Sequence, residues 1–448
     1  MKTGYGLVFP SDFVWGAATA SYQIEGASEA DGRGESIWDR FCSKPGAVRN
    51  GENGAIACDH YHRYREDVAL MRDLGLAAYR FSIAWPRIMP EGSGAVNQAG
   101  LDFYDRLVDE LLANGIQPFV TLYHWDLPQA LEDKGGWTSR DTAEAFAKYT
   151  EAVVRRLGDR VKNWITHNEP WVAAWVGYGW GRHAPGQVGD AIPACHHLLL
   201  SHGLAVPIIR RECPDAQVGI TLNLTPAYPA SESPEDVEAT QYADGRNNRW
   251  FLDPLFRGEY PQDMLDHFAP QLPHIGAQDM QIIAAPIDFL GVNNYSRDVI
   301  RADAETTIAK VRPAESEYTA MDWEVYPNGL YDLLMRVTRD YAPSRLYVTE
   351  NGAAYPDVRN HEGQVLDPER QCYLEQHFDA AARAIQDGAP LHGYFVWSLL
   401  DNFEWAEGYW KRFGLIYVNY PTQERIPKAS YHWYRDLIAA QRTVITFR

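Results

Sequence analysis

Cysteine and positive charge are both scarce in this sequence. Its five cysteines are spread over 448 residues, are odd in number and form no CxxC pair, which excludes a disulfide framework and a zinc ribbon. Lysine and arginine total 41 against 60 aspartate and glutamate, so the formal net charge is −19. Because phosphate backbones and anionic lipids would be repelled, we expect neither a nucleic-acid partner nor a membrane partner.

Long apolar runs are also missing. Nowhere do about 18 apolar residues follow one another, which is the length that a membrane-spanning helix needs. The residues before Asp12 contain no apolar core of roughly 7–15 residues, as a signal peptide would. We therefore expect a soluble, cytoplasmic protein with reduced cysteines, and its 46% hydrophobic content is typical of a globular chain.

Short apolar runs alternate with helical patterns along the whole chain. Alternating strands and helices favour a parallel sheet, and eight such units favour a closed barrel. We therefore predict an α/β fold, a single (β/α)8 TIM barrel that forms one catalytic domain over residues 1–448. The eight predicted strands are Phe13–Ala20, Ala77–Ile83, Gln117–Tyr123, Val161–Asn168, Gln217–Leu224, Asp288–Tyr295, Arg345–Asn351 and His392–Leu399.

Two segments show the helical pattern most clearly. One apolar stripe is formed by Tyr104, Leu107, Val108, Leu111 and Leu112 and stops at a glycine, Gly115. Before the eighth strand, Asp367-Pro368 is typical of a helix N-terminus. A bare barrel needs about 250 residues. The surplus predicts long loops, notably at 24–58, 169–194, 225–286 and 296–327.

Polar side chains follow the predicted strands at the end where barrel enzymes place their active residues. Two of them are glutamates, Glu169 after the fourth strand and Glu350 on the seventh. Cleavage of a glycosidic bond needs such a pair, one acid for the leaving oxygen and one carboxylate facing the anomeric carbon. Pro170 predicts an extended backbone at Glu169 and the end of its strand.

Four longer motifs resemble the family-one glycoside hydrolases, the retaining β-glucosidases and their relatives. The similarity runs from about Phe9 to Tyr434. It implies a retaining β-glucosidase that needs no cofactor and no metal. Its small-molecule substrate would be a β-glucoside or a cello-oligosaccharide, and a homo-oligomer is compatible with the sequence. The motifs are Phe13–Gly26, Asn168-Glu169-Pro170, Thr349-Glu350-Asn351-Gly352 and Trp397–Trp405.

The resemblance also implies roles for individual residues. Glu350 matches the family's nucleophile and Glu169 its general acid/base, with carboxyl groups about 5–5.5 Å apart as in retaining enzymes. Arg80 and Tyr295 match neighbours that keep the nucleophile ionised. Asn168 matches the residue that binds the sugar 2-hydroxyl. The other predicted substrate-binding residues are Gln23, His124, Trp125, Asn293, Trp323, Trp397 (the platform beneath the sugar), Glu404, Trp405 and Phe413.

Three positions bear on departures from the family and on specificity. Asn294 stands where most relatives carry a tyrosine, and His167 replaces an apolar residue and is interpreted as a core histidine. Glu404 would repel a sugar 6-phosphate, which favours an unphosphorylated sugar over a 6-phospho-β-glucoside. A leaning towards β-galactosides or β-fucosides stays open.

Two alternative functions come from other classes. A metal-dependent barrel hydrolase would use the imidazoles of His60, His62, His196 and His197, but His60 falls where a helix is predicted to begin. A non-catalytic sugar-binding barrel would keep the aromatic platform and lose a carboxylate, whereas both glutamates are present. The sequence therefore favours the two-glutamate hydrolase.

Overall fold

Eight parallel strands close into a barrel in the computed structural model, which describes residues 9–445. Residues 1–8 and 446–448, and with them the ends of the predicted domain, lie outside this range. The first strand pairs with both the second and the last, so the (β/α)8 prediction is confirmed. The strands are β1 (Val14–Ala18), β2 (Ala78–Ser82), β3 (Gln117–Tyr123), β4 (Asn163–Asn168), β5 (Gln217–Asn223), β6 (Phe289–Asn293), β7 (Leu346–Asn351) and β8 (Leu391–Trp397).

Seven of the predicted strands contain an observed one, and the eighth overlaps β8, which begins one residue earlier than predicted, at Leu391. Several strands are shorter than predicted. β1 ends at Ala18 and β8 at Trp397, two residues before the apolar runs stop. Apolar side chains continue past the last ladder hydrogen bond because the loops above the barrel are themselves buried, Leu399 among them. Hydrophobicity alone therefore overstates strand length here.

Long helices surround the barrel and pack apolar faces against it. In the helix Gln98–Ala113, four members of the predicted stripe are buried, whereas Leu112 is 39% exposed and lies at the edge of the stripe. Asp367 precedes its helix as predicted but does not cap it, because its carboxylate accepts from Arg370 and Ser430 instead. The outer helices are His60–Leu74, Gln98–Ala113, Arg140–Leu157, Ala191–Glu212, Pro234–Asp244, Trp250–Arg257, Pro327–Tyr341, Pro368–Gln386 and Ala429–Ile445.

The four predicted loops are long and carry small elements of their own. Two further long connections, 352–367 and 398–428, were not predicted. The small helices are Ser21–Ile24, Ala30–Gly32, Ile37–Cys42, Arg49–Gly51, Trp85–Ile88, Gln129–Glu132, Gly136–Thr138, Val172–Gly179, Gly245–Arg249, Gln262–Phe268, Ala269–Gln271, Asp279–Ile283 and Trp405–Glu407. Strand Ala227–Pro229 joins Asp298–Asp303 and Thr307–Lys310 in a side sheet, and Ile416–Asn419 pairs with Glu424–Pro427.

Aromatic rings fill the interior of the barrel. Phe119 lies 4.9 Å from Phe395 and 5.4 Å from Tyr347, measured between ring centroids, and Phe289 lies 5.2 Å from Tyr347. A Cβ on Gly16 would overlap the ring of Phe395, so only glycine leaves room for it. Because these rings pack the interior, we expect ligands to enter from the end where the long loops lie.

One outer helix, Ala191–Glu212, is long and apolar enough to cross a membrane by length and composition. Of its most apolar stretch, 78% is buried inside the protein. It also packs against the neighbouring helix Arg140–Leu157. Its apolar character is therefore that of a core helix in the outer ring.

Candidate active site

A buried arginine connects the ends of three barrel strands. Arg80, on β2, donates to Oε1 of Glu350 at 2.5 Å and to Oδ1 of Asn168 at 2.6 Å. Its Nε donates to the hydroxyl of Thr121 at 3.2 Å, which fixes the plane of the guanidinium. Arg80 is fully buried. The positive charge needed to keep a carboxylate ionised is therefore held against Glu350, as the sequence predicted.

Both carboxylate oxygens of Glu350 are occupied. Arg80 binds Oε1, and the phenol of Tyr295 donates to Oε2 at 2.7 Å. Burial raises the pKa of Glu350, while the charge of Arg80 and these hydrogen bonds oppose the rise. These contacts orient the carboxylate and limit the rise in its pKa.

Glu169 has a different environment. The side-chain amide of Asn293 donates to its Oε1 at 2.7 Å. Burial, followed by the nearby charge of Glu350, raises the pKa of Glu169 well above its usual value. Asn293 and the charge of Arg80 oppose this rise, but Arg80 binds Glu350 directly. Of the two carboxyl groups, Glu169 is therefore the one that favours its protonated form.

The predicted extended backbone at Glu169 is wrong. β4 ends at Asn168 as expected, but Glu169 has a φ of 49°, in the left-handed region. Its backbone N–H still donates to the carbonyl of Thr221 on β5 at 2.9 Å. The neighbouring strand thus holds the turn, and this contact overrides the preference that Pro170 imposes.

Asn293 is positioned by a threonine that the sequence did not single out. The hydroxyl of Thr349 donates to Oδ1 of Asn293 at 2.7 Å, so the amide nitrogen must face the other way. That nitrogen donates to Glu169 and, at 3.0 Å, to Asn168. Thr121 lies on a barrel strand with ordinary β-propensity, so no pattern marks it as functional. Thr349 lies within a family motif, but the sequence assigned it no role of its own.

Replacing Asn293 with alanine is expected to move the alkaline limb of the pH–rate profile to higher pH. The hydrogen bond from Asn293 lowers the pKa of Glu169, so its loss raises that pKa further and the acid keeps its proton longer. The measurement is kcat/KM for an aryl glucoside against pH. An alkaline limb that moves down, or does not move, would show that Asn293 does not bind the ionised form of Glu169.

A histidine and a glutamine leave unpaired polar atoms in this region. His124 accepts from the amide of Asn168 at Nε2, over 2.9 Å, and burial lowers its pKa well below the usual value. The ring is therefore neutral, with its hydrogen on Nδ1, an atom that has no partner among residues 9–445. In the same part of the chain, Oε1 of Gln23 also has no partner. These two atoms are free to bind the hydroxyl groups of a ligand.

Glu404 is the third carboxylate of the site. Gln23 donates to it at 3.4 Å. Burial and the charge of Glu350 raise the pKa of Glu404 to about 8. A carboxylate kept this close to Glu350 suits neutral hydroxyl donors and opposes a second anion.

The predicted aromatic residues form two groups. Trp397 lies 5.9 Å from His124, and Trp405 lies 4.6 Å from Trp125, between ring centroids. The indole N–H of Trp125 donates to the carbonyl of Asn168 at 3.0 Å, so only its ring is left for a ligand. In the second group, Trp323 packs 5.1 Å from Tyr295 and 6.1 Å from Phe413.

A buried ion cluster anchors the loop 398–428, which carries Glu404, Trp405 and Phe413. Asp401 accepts from Lys428 at 2.7 Å and from Arg412 at 2.6 Å, and Lys428 also donates to Asp357 at 2.5 Å. Asp401 and Lys428 are fully buried. These ion pairs therefore fix the loop, and the spacing of the residues in the sequence does not predict which of them pair.

Replacing Lys428 with methionine is expected to lower the free energy of unfolding by about 3–5 kcal/mol, because Asp401 and Asp357 would be left buried without their shared partner. Lys310→Met is the matched control. Lys310 is 63% exposed and pairs with Asp298 at 2.8 Å, so its loss should cost less than about 1 kcal/mol. Denaturant unfolding measures both. Equal losses in the two variants would contradict a stabilising role of the cluster.

The two departures from the family pattern are structural. Asn294 turns its amide to the backbone carbonyls of Leu224, at 2.9 Å, and Ser296, at 3.0 Å. His167 is fully buried and bonds Ser201 at 2.7 Å, which confirms its interpretation as a core histidine. Neither residue is hydrogen-bonded to Glu169 or Glu350.

Histidines that a metal-dependent hydrolase would use make structural contacts instead. His60 begins its helix as predicted and bonds Asp67, which also binds Arg425. His196 pairs with Asp279 at 3.0 Å. Within residues 9–445, no group of three or more His, Cys, Asp or Glu side chains has the arrangement of a metal site.

Barrel and site together define a class of protein. Two glutamates lie at strand ends, one bound by Arg80 and one with a pKa well above its usual value, beside unpaired polar atoms and aromatic rings. This arrangement is typical of a glycoside-cleaving (β/α)8 enzyme. The model of glycosyl hydrolase family 1 matches residues 6–443, and the chain belongs to that family.

Relatives of known activity match nearly the whole chain. β-Glucosidase A of Thermotoga maritima is 51% identical over 435 residues, which cover 96% of this chain and 97% of that protein. β-Glucosidase A of Acetivibrio thermocellus is 50% identical over 441 residues, or 96% and 98% of the two chains. The structure of the Thermotoga maritima β-glucosidase with glucoimidazole superposes with a TM-score of 0.95 at 50% identity, over 97% and 99% of the two chains.

Proposed function

We propose that this enzyme releases glucose from the non-reducing end of cellobiose, cello-oligosaccharides and aryl or alkyl β-glucosides, with Glu350 as nucleophile and Glu169 as acid/base. The chain is a β-glucosidase, a glycosyl hydrolase with the retaining mechanism of its family, as its identity of about 50% to named β-glucosidases indicates. One observation carries the residue assignment. Arg80 and Tyr295 bind both oxygens of Glu350, while Glu169 has a single amide donor.

In the first step, an oxygen of Glu350 attacks the anomeric carbon and the bond to the glycosidic oxygen breaks. Glu169 gives its proton to that oxygen, and the aglycone leaves as an alcohol or phenol. The product on the enzyme is a glucosyl ester of Glu350 with inverted configuration. Asn168, held by Arg80, would contact the 2-hydroxyl, where binding strengthens in the transition state.

In the second step, Glu169 acts as a base. Once Glu350 is esterified, its negative charge is gone, and with it one cause of the raised pKa of Glu169. That pKa therefore falls, and the carboxylate can accept a proton from water. The resulting attack breaks the ester, frees Glu350 and gives glucose with its β configuration restored.

A neutral glucose unit fits the binding residues better than a phosphorylated one. Glu404 is a buried carboxylate, and Lys411 donates to the backbone carbonyl of Ala320, so its ammonium is already engaged. A 6-phosphate here would add an anion at low dielectric beside Glu350 and Glu404, where burial and the charge of Glu350 already raise the pKa of Glu404 to about 8. β-Galactosides and β-fucosides differ from glucosides only in hydroxyl groups and stay the alternative substrates.

We further propose a cytoplasmic location. All five cysteines are free thiols, and four of them are buried. Free thiols without disulfides are typical of proteins in a reducing compartment. Immunoblotting of separated cytoplasmic and secreted fractions tests this directly. Recovery of the protein mainly outside the cell would refute it.

A substrate panel tests the proposed specificity. We expect the purified protein to release glucose from cellobiose, cellotriose and an aryl β-glucoside, with a kcat/KM for the aryl glucoside above those for its galactoside, fucoside and 6-phosphoglucoside. The control is Glu350→Ala, which excludes a contaminating glycosidase. Preference for the 6-phosphoglucoside would contradict the role given to Glu404, and preference for the fucoside or galactoside would establish the alternative.

A further inference from the structure

Three indoles lie together on the segment that follows Glu169, and one of them is exposed. Trp171, the second residue after Glu169, lies 5.4 Å from Trp180 between ring centroids, and Trp175 lies 6.0 Å from Trp180. Trp171 and Trp175 are partly buried, whereas Trp180 is 41% exposed. A large apolar side chain that stays in water beside an active site is a common sign of a binding surface.

The segment that carries these rings is well fixed. Val172–Gly179 forms a π-helical stretch, a variant often found at functional sites. Beyond it, Trp180 forms an antiparallel bridge with Val188, which is 74% exposed. The backbone under Trp180 is thus tied to a second chain segment, and the ring is presented on a fixed base.

An arginine without a carboxylate partner lies against the same rings. The guanidinium carbon of Arg246 is 5.5 Å from the ring centre of Trp175, and 5.8 Å from those of Trp180 and Tyr242. Its Nε donates to the amide oxygen of Asn247 at 3.0 Å. Within residues 9–445, no carboxylate lies at ion-pair distance from it.

The neighbouring Arg249, by contrast, is paired with carboxylates. Arg249 pairs with Asp244 at 3.2 Å and with Asp263 at 2.6 Å. Burial lowers the pKa of Arg246, while Tyr242 and the more distant charge of Asp298 oppose the fall. A planar donor set beside exposed aromatic faces matches a ligand that has both an apolar face and hydroxyl groups.

We propose that Trp180 and Arg246 form an outer acceptor subsite, which binds the second sugar beyond the cleaved bond of a cello-oligosaccharide. The sugar's C–H face would stack on Trp180, and Arg246 would donate to its hydroxyl oxygens. This inference rests on the proposed function, since the cello-oligosaccharide must extend to Trp180 from a glucose unit held at Glu350. The net charge of −19 and the carboxylates of the site favour a neutral sugar over an anionic aglycone.

Chain-length dependence is the test. In Trp180→Ala, the ratio of kcat/KM for cellotriose to kcat/KM for an aryl glucoside should fall about 3- to 10-fold, as expected for one lost stacking contact. The same ratio for cellobiose should change little, because cellobiose does not reach the second acceptor position. Trp180→Phe keeps a stacking face and should restore most of the cellotriose ratio, which separates ring loss from misfolding.

Two further variants make the result decisive. Arg246→Met should lower the cellotriose ratio in the same direction. Trp410→Ala is the matched control, since Trp410 is 58% exposed on another loop and its ring centre lies 4.4 Å from the guanidinium carbon of Arg49. This variant should leave the cellotriose ratio unchanged. An unchanged ratio in Trp180→Ala, or an equal fall in Trp410→Ala, would overturn the subsite.

Failure of the subsite can be told from failure of the proposed function. If the wild type hydrolyses the aryl glucoside and cellobiose but Trp180→Ala shows no chain-length effect, only the subsite is wrong. If the wild type hydrolyses neither, the proposed function is wrong, and the subsite falls with it. Preference of the wild type for an anionic aryl glucoside, lost in Arg246→Met, would replace the sugar with an anionic ligand.

Discussion

Glu350→Ala is expected to abolish turnover of an activated aryl β-glucoside, with a loss on the order of 10⁴-fold or more. Without this carboxylate, no group remains to attack the anomeric carbon and form the covalent ester. Arg80 and Tyr295 would then surround an empty position. The measurement is the release of the phenol under saturating substrate, with the fold of the variant checked by its thermal unfolding.

Chemical rescue separates a lost nucleophile from a damaged site. Azide can enter the space left by the side chain and attack the anomeric carbon from the same face, giving an α-glucosyl azide and restoring phenol release. Glu369→Ala is the control, because Glu369 is an exposed helix residue outside the site. Full activity of Glu350→Ala without azide would remove Glu350 from the mechanism.

Glu169→Ala should depend strongly on the leaving group. Cellobiose needs a proton on its departing alkoxide, so its kcat/KM should fall about 10²–10⁴-fold. An aryl glucoside whose phenol is strongly acidic leaves without protonation, and formation of its covalent ester should be little affected. Comparing kcat/KM for the two substrates measures the difference. Equal losses for both would show that Glu169 is not the acid.

The same variant tests the predicted direction of the pH dependence of kcat/KM. In the wild type, kcat/KM for cellobiose should fall as pH rises through the pKa of Glu169, which lies well above its usual value, because the first step needs the protonated form. In Glu169→Ala this alkaline limb should vanish, and Glu404, whose pKa is raised to about 8, is the other carboxyl group of the site that titrates above its usual range. A wild-type limb retained in the variant would assign it to another group.

The barrel could be predicted because its signal is repeated eight times. Each strand is a short apolar run followed by a helical pattern, and errors in single runs, such as the overlong β1 and β8, do not alter the count. The helix stripe failed only at Leu112, since an apolar residue at the edge of a stripe can lie in water. Local backbone conformation was harder to predict from the sequence, because the φ of Glu169 depends on a contact with Thr221 on another strand.

For the site, motifs identified which residues converge but not how they are linked. Thr349 orients Asn293, and Lys428 joins Asp357 to Asp401 across long sequence separations. Such pairs depend on the packed fold, and no local spacing encodes them. Trp125 is a related case, since its indole N–H donates to the backbone of Asn168 and only its ring is left for the ligand contact that the resemblance predicts.

The stereochemistry of the first product tests the account most directly. An aryl β-glucoside is mixed with the enzyme and a chelator, and the anomeric protons are followed by NMR before mutarotation. The account predicts β-glucose as the first sugar, formed through two inversions at Glu350 and water, with the chelator without effect. α-Glucose as the first sugar would mean a single displacement and would contradict the roles given to Glu350 and Glu169.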